Sequence, residues 1–268
     1  MEDRAASTEL AGIRFAHLDL PSATAHLLSE QARAEAQPWR LINIYNVSLL
    51  RNHRGYAATL RSPGVNLADG KPVAWVLGWL SRRSGDTGPA HVRGPSLFTR
   101  TLDEGRAVGA RHYLLGGTPE ALAALEAAIA DRYPGAQVVG AESPPFRPLT
   151  DDERTAQDAR IRASGADIVW VGLGTPRQDI EAQRLAAAVG RPAVAVGAAF
   201  DFVAGTRKEA PAWVRKLTLE WLFRLLSEPK RLWKRYTVGL VRFCLVIAPD
   251  LLGRRRTVVP AGSAAGNQ

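Results

Sequence analysis

The chain has 268 residues, 46% hydrophobic and 23% charged, a balance that suits one large α/β domain with or without an appendage and excludes a mostly disordered protein. Its single cysteine, Cys244, excludes an internal disulfide framework and a cysteine-based zinc site. The net charge of +9 is concentrated: residues 207–256 hold 13 Lys or Arg against 4 Asp or Glu, an excess of nine that leaves the rest of the chain near zero.

Residues 1–10 have no apolar core, so no signal peptide is expected there. The longest apolar run, 238–248, contains Arg242 and falls short of the ~18 residues of a membrane span. The body then alternates strand and helix patterns. Residues 41–45 read as a strand, 46–60 as a helix, 64–68 as a short strand and 72–80 as a helix. A Gly-, Ser- and Arg-rich loop over 81–89 follows. Residues 112–115 are a strand, 119–132 an alanine-rich helix, 136–139 a strand and 151–163 a helix. The clearest strand is 167–173, followed by a helix over 176–189 and a last strand over 192–196. Such alternation predicts a Rossmann-like α/β fold, a parallel sheet with helices on both faces. Thr150 with Glu153, and Thr175 with Gln178, read as capping boxes.

The character changes after Gly205. From Pro211, Val214, Leu217, Trp221 and Leu225 recur at helical spacing. Pro229 ends that helix and opens a second, where Leu232, Trp233 and Tyr236 lie among Lys230, Arg231, Lys234 and Arg235. A basic helical C-terminal appendage of this kind suits an interfacial membrane binder. A terminal helix pair packed on the body with solvated charges reads the same way. The chain therefore divides into a body over 1–206, an appendage over 207–256 and a small-residue tail over 257–268 expected to be disordered.

In a parallel α/β sheet, ligands sit beyond the carboxyl ends of the strands. Asp69 and Gly70 follow the strand at 64–68. The pair is a turn signal, and equally a carboxylate placed to take a proton from a sugar hydroxyl. Asn46 follows the first strong strand and either caps a helix or binds a nucleotide or sugar. Gly116 and Gly117 allow close backbone approach at a helix start. Gly172 and Gly174 lie in a strand–turn–helix segment, but Arg177 stands where the dinucleotide fingerprint needs glycine, so a nicotinamide enzyme is disfavoured. Gln178 either completes a cap or reads a uracil or ribose. Asp201 binds hydroxyls or caps its turn. No Asp-x-Asp sequence occurs, and the five histidines lack ligand spacing. No metal or other cofactor is expected, so basic side chains, among them Arg224, Arg231, Lys234 and Arg235, are the candidates to neutralise a leaving diphosphate.

Several runs together resemble the WecG/TagA/CpsF glycosyltransferases, glycosyltransferase family 26. They are Val-Gly-Leu-Gly-Thr-Pro-Arg-Gln at 171–178, Gly-Ala-Ala-Phe-Asp-Phe-Val-Ala-Gly at 197–205, Ala-Pro-Ala-Trp at 210–213, Leu-Glu-Trp-Leu-Phe-Arg at 219–224 and Glu-Pro-Lys-Arg-Leu-Trp-Lys-Arg-Tyr at 228–236. The match spans roughly 41–236. The resemblance implies metal-free, inverting transfer from a UDP-sugar to an undecaprenyl-diphosphate-linked acceptor in cell-surface polysaccharide synthesis. It places the protein in the cytoplasm, peripheral on the anionic inner face of the membrane, and implies self-association. By the same resemblance Asp69 is the base, Gln178 and Asp201 match functional positions, and the donor-diphosphate arginines fall on Arg224 and Arg231, or on Lys234 or Arg235. Lys230, Trp233, Lys234 and Arg235 form the expected membrane contact.

Three departures stand out. Ile44 replaces the Thr of a Thr-x-Asn motif. Arg-Val-x-Gly-x-Asp reads His91-Val92-Arg93-Gly94-Pro95-Ser96, with Arg93 two positions from the lost arginine. Asp179 replaces the Glu of Pro-x-Gln-Glu. They leave open an N-acetylmannosamine-type or a glucose-type donor. Two rivals come from other classes: a nucleic-acid binder, which leaves the strand-end polar set unexplained, and an inactive membrane scaffold of the same fold. No nucleic-acid partner is expected.

Overall fold

The computed structural model describes residues 6–83, 85–211, 213–214, 220–253 and 258–259, apart from the side chains of Glu220, Arg224, Arg231, Arg235, Val258 and Val259. The chain starts with an antiparallel hairpin, β1 (Ser7–Leu10) and β2 (Ile13–Ala16). Its two turn residues have positive φ, 55° at Ala11 and 78° at Gly12, as tight hairpin turns require. For alanine that conformation costs roughly 1–2 kcal/mol. Ala11 is held there by full burial and by its N–H, which donates to Asp250 at 2.7 Å. Helices α1 (Leu20–Leu28) and α2 (Glu30–Glu35) follow, N-capped by Asp19 and Ser29. None of these four elements is among the sequence-based expectations.

Strand β3 (Pro38–Ile42) ends before the expected residue 45, because Asn43 leaves the ladder to cap α3 (Ile44–Leu49). The single helix expected over 46–60 is two, α3 and α4 (Arg54–Arg61), with a turn between them. Asn52 and Gly55 are poor helix formers, and the break turns Tyr56 into the interior. Next come β4 (Val65–Ala68) and α5 (Lys71–Arg82). Helix α5 runs past its expected end: Ser81, expected in a loop, is helical, buried and hydrogen-bonded to Thr8. Helix α6 (Gly94–Gly105) was also unforeseen.

The expected alternation then appears as β5 (Arg111–Gly116), α7 (Pro119–Arg132), β6 (Gln137–Glu142), α8 (Asp151–Ala163), β7 (Ile168–Gly172), α9 (Arg177–Val189) and β8 (Ala193–Ala195). The capping box at α8 is present, with Glu153 N donating to Thr150 Oγ1 at 3.2 Å and Thr150 N to Glu153 Oε2 at 2.9 Å. The second expected box is not. Pro176 occupies the N-cap without a side-chain bond, and Gln178 N donates to the Gly174 carbonyl at 3.0 Å.

Six strands form one parallel sheet in the order β4-β3-β8-β7-β5-β6. Both faces are covered, so the central strands are apolar throughout. Along β7, Ile168 and Trp170 pack with α1, α6 and α7, while Val169 and Val171 pack with α8 and α9. A further core joins the hairpin to α3, α4 and α5.

The C-terminal region adds α10 (Ala199–Val203), α11 (Glu220–Ser227) and α12 (Pro229–Leu251), with Pro229 in the first turn of α12 as expected. Phe243 and Ile247 of α12 are buried in the same core as Phe15, Ile42 and Leu77. The boundary drawn at 206/207 therefore does not separate two cores. The tail assigned as disordered from 257 contains β9 (Val258–Val259), paired antiparallel with Ser7 and Thr8 of β1. Residues 260–268 lie outside the described residues. No described helix is long and apolar enough to cross a membrane. Phe243→Ala should destabilise the whole body by about 3–5 kcal/mol, read as a lower urea midpoint by both tryptophan fluorescence and circular dichroism.

Candidate active site

From β5 the chain crosses to β6 on one side, and from β7 it crosses to β8 on the other. The connections diverge there, and the crevice between diverging strand ends is where such sheets bind ligands. A cavity of about 1120 Å³ opens at these ends. The ends of β3, β4, β5, β7 and β8 line one side of it, and residues of α11 and α12 line the other.

Gly116 and Gly172 are register partners on β5 and β7. A Cβ on Gly172 would lie 2.7 Å from the Phe200 ring, and one on Gly116 would lie 2.5 Å from the Gly172 carbonyl oxygen. Gly117 and Gly174 have φ of 78° and 75°, conformations that favour glycine. All four line the cavity. The glycines thus satisfy packing and turn geometry beside the starts of α7 and α9.

Asp69 also lines the cavity. Its N–H donates to the Ile42 carbonyl at 2.9 Å, extending the ladder by one residue before Gly70 turns the chain into α5. The turn reading of the Asp-Gly pair is thus present, and it leaves Asp69 on the cavity wall. Asn43 Nδ2 donates to Asp69 Oδ2 at 3.4 Å. His91 and Arg93, two apart in an extended segment, both face the same cavity. Arg93 pairs with Glu209 at 2.7 Å and donates to Ser96 at 3.3 Å. A guanidinium is thus present on the cavity wall although position 91 is histidine.

Gln178 is 3% exposed and lines the cavity. Its Oε1 has no hydrogen-bond partner among the described residues. A buried carbonyl left in that state costs about 1–3 kcal/mol, and a ligand donor would recover it. Asp201 lines the cavity and pairs with Arg207 at 3.2 Å; Arg207 in turn reaches Glu228 at 3.0 Å. Arg207 and Lys208 are cavity residues that the sequence reading passed over, although both fall in the basic stretch it identified.

Asn46 is a correction. It is fully buried and does not line the cavity. Its Oδ1 accepts from Asn43 N at 3.1 Å, while its Nδ2 donates to Tyr56 Oη at 2.7 Å and to Asp179 Oδ2 at 3.2 Å. Tyr56 Oη also donates to Asp179 Oδ2, at 2.7 Å. The amide is committed inside the protein, and Asn43 takes the cavity position. Desolvation pushes the Asp179 carboxyl up to about 7, against the Tyr56 hydrogen bond, the Arg40 charge and the Asn46 hydrogen bond. Arg40, fully buried on β3, is pulled down to about 10 by its own desolvation.

Helix α12 turns Leu232, Tyr236 and Leu240 to the cavity, and Trp221 of α11 meets Tyr236 edge-on at 6.3 Å between centroids. Lys230, Trp233 and Lys234 are exposed and off the cavity, with Lys234 Nζ 5.8 Å from the Trp233 ring centroid. The side chains of Arg224, Arg231 and Arg235 lie outside the described residues. Among the described residues no group of three or more His, Cys, Asp or Glu side chains is placed to hold a metal ion.

The cavity thus gathers, at a switch point of the sheet, four glycines, the Asp69 carboxylate and a glutamine whose Oε1 has no partner among the described residues. The model of the Glycosyl transferase WecG/TagA/CpsF family matches residues 8–257. The chain belongs to the WecG/TagA/CpsF glycosyltransferase family. Within that glycosyltransferase, the match runs from the hairpin through α12, so the appendage and the early strands belong to the family domain along with the sheet.

Asp179 also carries a stability prediction. Its folded-state value lies above the ordinary 3.8, so the folded protein holds this proton more tightly than the unfolded chain. The associated stability is present below about pH 4 and is lost as pH rises through about 7. Wild type should therefore lose stability relative to Asp179→Asn across that window, measured as the difference in their urea midpoints at its two ends.

Proposed function

We propose that this glycosyltransferase moves a sugar, with inversion, from a UDP-sugar to an undecaprenyl-diphosphate-linked acceptor during cell-surface polysaccharide synthesis at the inner face of the cytoplasmic membrane. The observation that carries the reading is the shared cavity: the Asp69 carboxylate and the unpartnered Gln178 oxygen line one volume at the strand ends. The acceptor hydroxyl oxygen attacks the anomeric carbon as the bond from that carbon to the UDP oxygen breaks. Asp69 takes the hydroxyl proton, and a single displacement inverts the anomeric centre. Charge gathers on the leaving diphosphate, and cationic side chains that line the cavity, Lys208 among them, offset it in this reading. Gln178 Oε1 accepts from a donor on the uridine, recovering the hydrogen bond it lacks.

The test is turnover of a panel of UDP-sugars, N-acetylmannosamine and glucose donors included. The purified protein is given a short-chain lipid-diphosphate-sugar acceptor, with EDTA and separately with added divalent metal. UDP release with a heavier lipid product from one donor supports the reading and names the sugar. No product from any donor under either condition overturns it. Asp69→Asn should lower kcat by ~10²–10⁴-fold with UDP affinity retained, and a near-normal kcat removes Asp69 as the base.

The membrane part of the reading is supported by the outward placement of Lys230, Trp233 and Lys234 on the helix whose other side lines the cavity. Replacing Lys230 and Lys234 by Gln should weaken co-sedimentation with phosphatidylserine-containing vesicles on the order of tenfold. Binding to neutral vesicles should barely change. Equal loss on both kinds of vesicle would argue against electrostatic docking.

A further inference from the structure

A general base on a turn is effective only if its carboxylate is held toward the acceptor. Asp69 sits one residue beyond β4, where the regular ladder ends, and its nearest neighbour across the sheet edge is the residue that follows β3. That residue is Asn43. We infer that Asn43, braced from beneath by the buried Asn46–Tyr56–Asp179 cluster, is the positioning residue of the Asp69 carboxylate; the inference rests on the reading of Asp69 as the base.

Two features make Asn43 a fixed rather than an adaptable donor. Its Oδ1 accepts from Tyr45 N at 2.9 Å as the N-cap of α3, which sets the sense of the amide and leaves Nδ2 aimed at Asp69 Oδ2, 3.4 Å away. Flipping the amide would lose the cap and turn an oxygen toward a carboxylate. The contact is long for a hydrogen bond, and catalytic contacts of this kind tighten when substrate binds. The backbone of Asn43 is pinned as well, because its N–H donates to Asn46 Oδ1 at 3.1 Å.

Asn46 is in turn fully buried and hydrogen-bonded through both its polar side-chain atoms. Its Nδ2 is shared between Tyr56 and Asp179, and those two are joined by a 2.7 Å hydrogen bond. Asn46, Tyr56 and Asp179 come from α3, α4 and α9, so one small polar cluster ties three helices beneath the cavity. Lys71, His91 and Arg93 line the same cavity, Arg93 paired with Glu209.

The experiment is a double-mutant cycle in the full-length protein, read as kcat, donor KM and the dissociation constant of UDP. Asn43→Ser keeps a capping oxygen but has no amide to donate. It should lower kcat roughly 10–100-fold, with UDP binding and the melting midpoint unchanged. In an Asp69→Asn background the same substitution should cost nothing further, because a residue acting through the base is silent once the base is gone. Tyr56→Phe should show a smaller loss that also vanishes in that background. Where Asn43→Ser fails to fold, Asn43→Asp, isosteric and still able to cap, replaces it and should lower kcat at least as far. Equal losses from the Asn43 substitution in both backgrounds, or wild-type kcat in that variant while Asp69→Asn is impaired, would overturn the positioning role alone. Wild-type kcat in Asp69→Asn would instead bring down the assignment of the base, and this inference with it.

Discussion

Burying a carboxylate in an α/β protein is costly unless hydrogen bonds replace its water. Asp179 is fully buried at the first turn of α9, and its Oδ2 accepts from both Tyr56 and Asn46. To supply those donors, α3 and α4 must converge on the start of α9. That requirement agrees with two local features. The helix breaks between α3 and α4, a segment that holds the poor helix former Asn52, and Asn43 leaves β3 to cap α3. Arg40 belongs to the same arrangement. It is a fully buried guanidinium that donates to Asn66 and Ser62 and lends its charge to Asp179 from β3.

The cluster is joined to residues that line the cavity. Asn43 is hydrogen-bonded to Asn46, and Gln178 precedes Asp179 in the chain. Asn43 and Gln178 both line the cavity, and Gln178 Oε1, like Asp179 Oδ1 within the cluster, has no hydrogen-bond partner among the described residues. A wall atom without a partner is where a ligand gains binding energy.

The opposite wall comes from the C-terminal helices, and apolar burial holds them in place. Phe243 and Ile247 lie in a core with Phe15 of the hairpin and Ile42 of β3, and Asp250 accepts from the buried hairpin turn at Ala11. Arg207, bridging Asp201 and Glu228, links α10 to the start of α12 at the cavity rim. Partly exposed ion pairs of this kind contribute little stability, so its effect is to set position and charge at the cavity. Helix α12 consequently does two jobs along one length: its later turns anchor in the core, and its earlier turns place Leu232, Tyr236 and Leu240 on the cavity.

The sequence by itself determined the parallel α/β plan, the strand-end position of Asp69 and of the glycines, and the helix starts at Pro119, Asp151 and Pro229. Each of those depends on local physics: apolar runs, capping side chains and proline's missing N–H act within a few residues. The hairpin, the roles of Asn43 and Asn46, and the uncommitted Gln178 were decided only in three dimensions. Asn46 and Gln178 both follow strands with helix-capping patterns, and local pattern assigns them the same pair of alternatives. What separates them is Asp179, which takes Asn46 from 133 residues away, while no described side chain takes the Gln178 oxygen. Likewise Phe243 and Ile247 look like part of an amphipathic stretch until their helix packs against α3. Partners so distant in sequence leave no periodic trace near either residue, because the free energy that selects them is gained only when the elements pack.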